Sequence, residues 1–207
     1  MAGSHPASRL IVGITGATGA VFGVRLLQLL QSTGVETHLV LSKWGARTLV
    51  HETSFTVDQV QRMASYSYPS QDLGAAISSG SFVTGGMVIC PCSVRTLAAI
   101  AHGTAETLIH RAADVVLKER RKLVLVVREA PLNDIHLENM LKLSRMGVVI
   151  FPPVPAFYTQ PKTIADLVDQ TAMRVLDQFG VHVAAAPRWD GDLSVSAAEG
   201  ERPPSRN

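Results

Sequence analysis

The stretch 9–30 constrains the fold of this chain more than any other part of the sequence. It opens with a short, β-branched apolar run at 10–14, which is typical of a buried parallel strand. Gly13, Gly16 and Gly19 interrupt this run, and the apolar residues that follow recur at helical spacing. The stretch therefore predicts a strand, a glycine-rich turn and a helix.

A turn of this kind aims backbone N–H groups and the positive end of a helix at one spot beyond the strand. Such a spot binds a phosphate or another anion without a charged side chain. The hydroxyls of Thr15 and Thr18 fall in the same place. The spacing Gly-x-x-Gly-x-x-Gly is neither a P-loop nor the Gly-x-Gly-x-x-Gly dinucleotide fingerprint. The alternative is a tight connection in which glycine only permits close packing.

The rest of the chain alternates between strand-like and helix-like segments. Further strands are predicted at 36–42, 87–90, 122–127 and 148–151. Helices are predicted at 20–30, 44–53, 57–64, 94–101, 106–121, 135–145 and 163–179. This alternation predicts an α/β fold with a mainly parallel sheet covered on both faces, a three-layer sandwich of the Rossmann or flavodoxin-like type.

Ligands of such sheets bind beyond the carboxyl ends of the strands. The polar side chains that the sequence places there are Thr18, Ser42, Ser93, Arg128, Glu129 and Tyr158. Ser93 also stands where the N-cap of helix 94–101 is expected, so a second helix N-terminus opens at this edge. Ser42 and Lys43 stand where dinucleotide-binding folds often place an acidic residue for a ribose, which disfavours NAD.

Composition narrows the classes of partner. Hydrophobic residues make up 46% of the 207 and charged residues only 17%, which suggests that extra surface is buried, either under the helices of a parallel sheet or between subunits of a homo-oligomer. A formal net charge of +2 and 5% aromatic residues do not fit a nucleic-acid-binding surface. No stretch has the roughly 18 apolar residues of a membrane span. We therefore expect no nucleic acid or membrane partner.

The chain is long enough for one ordinary α/β domain. We expect a disordered N-terminus at 1–8, one domain at 9–189 and a flexible tail at 190–207, with no signal peptide. Cys90 and Cys92 lie too close in one strand to bridge one another easily and have no second pair for a zinc site. Reduced thiols and a cytoplasmic location follow as expectations.

Six motifs together resemble the UbiX-like flavin prenyltransferases: GITGATGA at 13–20, ICPCS at 89–93, RAADVVLKERR at 111–121, VREAP at 127–131, IHLENML at 135–141 and FY at 157–158. Within that family the chain is most similar to the branch that accompanies hydroxyarylic acid decarboxylases as their B-type component, such as those for vanillate, 4-hydroxybenzoate and phenolic acids. The resemblance spans roughly residues 9–189.

The resemblance implies a metal-independent enzyme that binds reduced FMN and dimethylallyl phosphate. It joins the dimethylallyl group to N5 and C6 of the flavin, and the product, prenylated FMN, is the cofactor of a UbiD-type aromatic acid decarboxylase. Relatives assemble as dodecamers, so the same state is expected here. Whether the monophosphate or the pyrophosphate is the preferred donor stays open.

The resemblance also implies site residues. The expected FMN-binding residues are Gly16, Ala17, Thr18, Ser42, Ser93, Val94, Arg95, Thr96, Arg111 and Arg128, with Arg111 reaching across a subunit boundary. The expected ligands of the dimethylallyl phosphate are Lys118, Arg128, Tyr158 and Arg174. The expected catalytic residues are Glu52, Thr18, Lys118 and Glu129, of which Glu52 and Thr18 relay the proton lost from C6 and Glu129 positions neighbours.

Three positions depart from the family pattern. Thr18 replaces a frequent serine and keeps the hydroxyl with more restricted rotamers. Arg95 stands where many relatives have a small residue. Leu73 stands where some relatives have an aromatic residue against the prenyl group, so a cation–π contact would be lost.

Three alternative functions match parts of the sequence. A short-chain dehydrogenase would need Tyr158 and Lys162 on one helix, but Pro155 and Pro161 prevent that helix. A flavin-dependent cysteine decarboxylase shares the fold and the Pro-Cys-Ser sequence at 91–93, but the chain lacks its C-terminal substrate motif. A non-catalytic flavin carrier or accessory protein of the decarboxylase would not need Glu52 and Lys118 together with Arg174.

Overall fold

The computed structural model describes residues 9–184 and 188. Its sheet has six strands: β1 (Arg9–Ile14), β2 (Glu36–Leu41), β3 (Tyr66–Tyr68), β4 (Gly86–Cys92), β5 (Lys122–Val127) and β6 (Val149–Ile150). Their order is β3-β2-β1-β4-β5-β6, and every neighbouring pair is parallel. The expected α/β fold with a parallel sheet is confirmed. The N-terminus 1–8 and the tail 190–207 lie outside the described residues.

Seven helices connect these strands in the described part of the chain: α1 (Ala20–Leu30), α2 (Lys43–Glu52), α3 (Val57–Gln61), α4 (Val94–His102), α5 (Leu108–Lys118), α6 (Asp134–Arg145) and α7 (Ile164–Asp177). A single 3₁₀ turn, Ala76–Ser78, precedes β4. Side-chain N-caps begin all of the helices except α1, which begins at Gly19 in the left-handed region (φ 95°).

Three of the differences from the sequence prediction have a clear physical reason. Strand β3 was not predicted, because its Tyr-Ser-Tyr sequence is short and lies at the exposed edge of the sheet. Helix α5 is shorter than 106–121, since Thr107 caps its start and Arg120 leaves the helix at a φ of 56°. Strand β4 continues through Pro91, where an irregular register accommodates the missing N–H.

Alternating residues of the central strands fill two separate cores, one on each face of the sheet. Val12, Val88 and Val124 pack with α1 and α7 on one face. Ile11 and Ile89 pack with α4, α5 and α6 on the other. The two cysteines depart from this alternation: Cys90 and Cys92 are two residues apart but lie on opposite faces, because the register of β4 is irregular between them. Both are free and buried, and burial raises the pKa of both thiols.

Strands β1 and β4 are neighbours although their connections leave in opposite directions, so a crevice opens between them at the carboxyl edge. Thr15 holds this point together. Its amide and its hydroxyl donate to the carbonyl oxygen of Pro91, at 3.2 Å and 2.8 Å, and its hydroxyl accepts from the amide of Ser93 at 2.9 Å. These bonds place the glycine turn beside the start of α4.

Helix α1 lies unusually close to β4, because Gly23 faces the backbone there. A Cβ at Gly23 would collide with the carbonyl oxygen of Cys90 and press on Ile14. We predict that Gly23→Ala destabilises the protein by about 1–3 kcal/mol, because helix and strand must separate, and lowers Tm by several degrees. Thermal unfolding at matched protein concentration measures this.

Gly74→Ala is the matched control, since a Cβ at Gly74 meets only Asp72 Oδ1 at an ordinary 3.4 Å. Equal stability losses in the two variants would contradict the proposed close approach.

Candidate functional site

A cavity of about 420 Å³ lies at the carboxyl edge of the sheet, beside the β1–β4 crevice. Six of its lining residues carry hydroxyl groups, namely Thr15, Ser42, Ser70, Ser93, Thr96 and Thr107. Lys43 and Arg95 add positive charge, and Trp44 and Ile109 add apolar surface. The volume suits a small-molecule ligand, and the wall offers many hydrogen-bonding groups together with positive charge.

Helices α4 and α5 both point their N-termini into this cavity. The Ser93 hydroxyl caps α4, accepting from the Thr96 amide at 3.3 Å and donating to the Thr96 hydroxyl at 3.1 Å. Thr107 caps α5. Two helix N-termini that converge on one cavity favour an anionic ligand, because their dipoles and exposed amides both attract negative charge.

The glycine turn packs directly under the start of α2. A Cβ at Gly16 would lie 2.5 Å from the Cβ of Trp44, so only glycine allows this approach. The Ser42 hydroxyl caps α2 by accepting from the Gly45 amide at 2.9 Å. The turn thereby brings Gly16, Ala17 and Thr18 beside Ser42.

Glu52, the last residue of α2, reaches back to the start of α1. One carboxylate oxygen accepts from the amides of Gly19 and Ala20 at 2.8 Å and 2.9 Å. Partial burial raises the pKa of Glu52, but the hydrogen bond from Thr18 and the two amides, together with the charge of Arg128, outweigh burial and hold the pKa below its ordinary value. Glu52 is therefore an ionised carboxylate at neutral pH.

Arg128 and Glu129 directly follow β5 at the same edge, and both are exposed. The Arg128 amide donates to the carbonyl oxygen of Cys92 at 3.1 Å, which fixes the backbone beside the start of α4. Glu129 accepts from the amide of Ala130 at 3.1 Å. The structure thus gathers Thr18, Glu52 and Arg128 at one place, as the sequence led us to expect.

Lys118 lies at the other end of the molecule. It ends α5 and pairs with Glu119, next to the turn at Gly80 and just before β5 begins. Arg128 follows the six residues of β5, so the length of that strand, about 20 Å, separates the two cations. A single chain does not bring Lys118 to the cavity.

Arg111 also turns towards the segment that precedes β4. Its guanidinium donates to the carbonyl oxygen of Ser78 at 3.2 Å and to Asp114 at 2.7 Å. Arg121 binds the same segment through the carbonyl oxygens of Gly80 and Phe82. Arg111 and Lys118 therefore share one face of α5 that does not line the cavity.

Tyr158 and Arg174 form a third group, along α7. The Tyr158 hydroxyl accepts from the buried amide of Gln170 at 3.2 Å. Arg174, one turn further, donates to Asp177 at 3.2 Å. Hydrogen bonds from Arg188 lower the pKa of Asp177 to about 2. Tyr158 and Arg174, two of the four expected ligands of dimethylallyl phosphate, therefore belong to this group on α7.

The three residues that depart from the family pattern all have exposed side chains. Arg95 lines the cavity and lies 3.7 Å from Glu106. Leu73 is 48% exposed and lies in the segment that supplies Ser70 to the cavity wall. Thr18 keeps its hydroxyl beside Glu52.

Sequence reasoning missed several cavity residues as site residues, above all Trp44 and His110. His110 is 8% exposed, and its Nδ1 has no hydrogen-bond partner among the described residues. Burial lowers its pKa, so the ring is neutral at pH 7. The N-cap position of Thr107 was the available signal, since it places His110 in the first turn of α5.

The cavity fits FMN in chemistry as well as in size. Hydroxyls and helix N-termini suit a phosphate and a ribityl chain, and the apolar surface of Trp44 and Ile109 suits a flat ring. Within residues 9–184 and 188, no group of three or more His, Cys, Asp or Glu side chains is placed to hold a metal ion. No helix in this part of the chain is long and apolar enough to cross a membrane.

Comparison with known proteins agrees with this geometry. The flavoprotein family model matches residues 2–176, which defines the class of protein. The mitochondrial flavin prenyltransferase of Saccharomyces cerevisiae is 57% identical over 183 residues, covering 88% of this chain and 76% of the relative. The chain belongs to the UbiX-like flavin prenyltransferase family.

Two solved structures extend the comparison. A UbiX protein in complex with FMN and dimethylallyl pyrophosphate superposes with a TM-score of 0.88 at 51% identity, covering 88% of this chain and 97% of the other. A dodecameric FMN-dependent UbiX-like decarboxylase from Escherichia coli O157:H7 superposes with a TM-score of 0.87 at 57% identity, covering 88% and 100%.

The contacts of Glu52 predict a pH-dependent stability. Because its folded pKa is lowered, its contribution is fully present above the ordinary value of 4.5 and is lost as the pH falls through the folded value. Glu52→Gln should therefore cost about 0.5 kcal/mol at pH 7, a figure reduced for exposure, and less at about pH 3. Thermal unfolding at both pH values tests this.

Glu129→Gln serves as the control, because Glu129 binds only the adjacent Ala130 amide in the described structure. A loss for Glu52→Gln that is equal at both pH values would contradict the assignment of this effect to charge.

Proposed function

We propose that this chain is a flavin prenyltransferase that joins a dimethylallyl group from dimethylallyl phosphate to N5 and C6 of reduced FMN. The carrying observation is the ionised Glu52, hydrogen-bonded to Thr18 and close to Arg128, at the same edge of the sheet as a separate set of residues that line a cavity with hydroxyls and two helix N-termini. The 57% identity to a flavin prenyltransferase supports the same activity.

In this proposal the flavin lies across the strand ends. Gly16, Ala17, Thr18 and Ser42 contact it from the β1 and β2 side. Ser93, Val94, Arg95 and Thr96 contact it from the start of α4, and Arg128 from the end of β5. The convergent N-termini of α4 and α5 and the hydroxyls suit the phosphate and ribityl groups.

Reduced FMN supplies the nucleophilic N5 and C6 positions. The N5–C bond forms as the allylic C–O bond breaks with its electron pair passing to the phosphate, which takes up the proton of N5. A proton from the released phosphate then adds to the prenyl double bond, so that C6 can form the second bond. The site must therefore hold negative charge and exclude water. Arg128 binds the departing phosphate through its planar fork. Glu52 accepts the proton lost from C6, and Thr18 orients its carboxylate. Glu129 positions Arg128 from the adjacent backbone position.

We also propose that neighbouring copies complete each site. Lys118, with Arg111 on the same face of α5, stands about one strand length from Arg128. Tyr158 and Arg174 form their own group on α7. A symmetric assembly can bring these groups to the carboxyl edge of another copy, where Lys118, Tyr158 and Arg174 would bind the donor phosphate and Arg111 the flavin phosphate.

The wider biological setting is part of the proposal. A dodecamer is supported by the dodecameric relative and by the exposed apolar side chains of α6, where Ile135 is 65% and Leu141 51% exposed. We propose a UbiD-type decarboxylase as recipient of the product, a cytoplasmic location, and one flavoprotein domain spanning 9–189.

The activity predicts a specific product. Anaerobic incubation with reduced FMN and dimethylallyl phosphate should yield a flavin heavier by one C5H8 unit in mass spectrometry of the extract. Glu52→Gln should lower kcat about 100-fold or more, because the proton acceptor is lost, while FMN binding is retained. Glu138→Gln, an exposed carboxylate on α6, is the matched control.

Two outcomes would count against this function. Unmodified FMN with both the monophosphate and the pyrophosphate would favour the flavin carrier. Release of CO2 from a C-terminal cysteine peptide, without any heavier flavin, would favour the cysteine decarboxylase.

The shared site predicts complementation between inactive variants. Lys118→Ala and Arg128→Ala should each be inactive alone. Co-expressed in equal amounts, they should recover about a quarter of the native activity, because one site in four then pairs an intact Lys118 with an intact Arg128 from different copies. The rate at which the purified mixed assembly forms the heavier flavin measures this.

A double variant that carries both substitutions in one chain is the control. Co-expressed with native chain in equal amounts, it shows how much activity a randomly mixed assembly retains. Activity no higher than that of the separate variants would show that both residues act within one chain.

A further inference from the structure

One large aromatic side chain of the cavity wall is not among the flavin contacts of the proposed function. Most lining residues present hydroxyl or cationic groups, which suit the phosphate, the ribityl chain and the ring edges of a flavin. A flat tricyclic ring also has two broad faces, which are best covered by apolar or aromatic surface. Among the described lining residues, Trp44 and Ile109 are the large apolar ones.

Trp44 is displayed to solvent from a rigid support. The residue is 60% exposed, yet its backbone lies in the first turn of α2, beside the Ser42 cap and the fully packed Gly45. The Arg47 guanidinium lies 4.9 Å from the centre of its ring. An exposed indole that is fixed in place is the kind of surface that proteins use for binding, because little side-chain entropy is lost on contact.

The glycine turn places this indole at the cavity. A Cβ at Gly16 would lie 2.5 Å from the Trp44 Cβ, so the turn and the tryptophan are in direct contact. Both line the cavity together with Ser42 and Ser93. Any ligand bound by the turn and the start of α4 therefore meets Trp44.

We propose, building on the flavin-binding site above, that Trp44 stacks on one face of the flavin ring and is a binding residue for reduced FMN. Arg47 covers the indole from one side and holds its orientation by a cation–π contact. The aromatic cover of the site thus comes from α2, whereas Leu73 offers only an aliphatic side chain.

The test measures two properties: the affinity for FMN reports stacking, and the emission of the bound flavin reports contact with tryptophan. Tryptophan in contact with an excited flavin quenches its emission by electron transfer, whereas phenylalanine stacks without quenching. Trp44→Leu should weaken FMN binding about tenfold and make the bound oxidised flavin brighter. Trp44→Phe should keep the affinity within about threefold and also make it brighter. Fluorescence titration with FMN measures both quantities.

Two controls use residues outside the proposed contact. Val50→Ala removes another exposed apolar side chain of α2, 57% exposed, and should change neither affinity nor emission. Trp189, the other tryptophan of the chain, lies outside the described residues, and Trp189→Phe should leave the emission low. High emission in Trp189→Phe with low emission in Trp44→Phe would overturn the proposal.

The oligomeric state supplies a further decisive outcome. If Trp44→Leu changes the sedimentation of the assembly while FMN affinity and emission stay native, Trp44 contacts another copy and the proposal is wrong. Should Trp44→Leu not fold, the emission and affinity of Trp44→Phe still decide the question.

This inference and the proposed activity fail in distinguishable ways. Native protein that binds FMN with quenched emission but forms no heavier flavin would refute the transferase and leave the stacking intact. Product formation with native affinity and emission in the Trp44 variants would refute the stacking alone.

Discussion

The buried hydroxyl of Thr15 connects the parts on which the site depends. It donates to the carbonyl oxygen of Pro91 and accepts from the amide of Ser93, so it joins the ends of β1 and β4 where their connections diverge. Without it, buried polar backbone groups would lose their partners, which is costly away from water. The glycine turn, the start of α4 and the cavity between them all take their positions from this junction.

The charged site residues lie at both edges of the sheet, and this placement bears on how copies of the chain would assemble. Glu52 and Arg128 occupy the carboxyl edge, where the hydrogen bonds of Glu52 with Thr18 and with the start of α1 keep its carboxylate ionised. Lys118 stands at the opposite edge, and Arg174 is held by Asp177 on α7. In the proposed function a neighbouring copy supplies Lys118, and an assembly of copies fits the high hydrophobic content of the chain.

The sequence predicted those elements whose formation depends on local pattern. Strand β1, its glycine turn and α1 followed from apolar runs and spacing, and Ser93 was recognised as an N-cap because capping needs only the next three residues. Strand β3 was missed, since a three-residue edge strand has no pattern of its own and depends on pairing with β2. Trp44 was missed as a cavity residue because its position depends on the contact with Gly16, far away in sequence.

Local sequence therefore determined the alternation of strands and helices, the anion-binding character of the turn and, through its motifs, the family. The tertiary structure decided which of the predicted site residues lie together: Ser42, Ser93 and Arg95 line one cavity, and Glu52 lies with Thr18 and Arg128 at the same edge of the sheet. Lys118 stands apart from both groups. The reason is geometric. Helix α5 returns antiparallel to the strands, so its last residue must lie a strand length from the residue that follows β5.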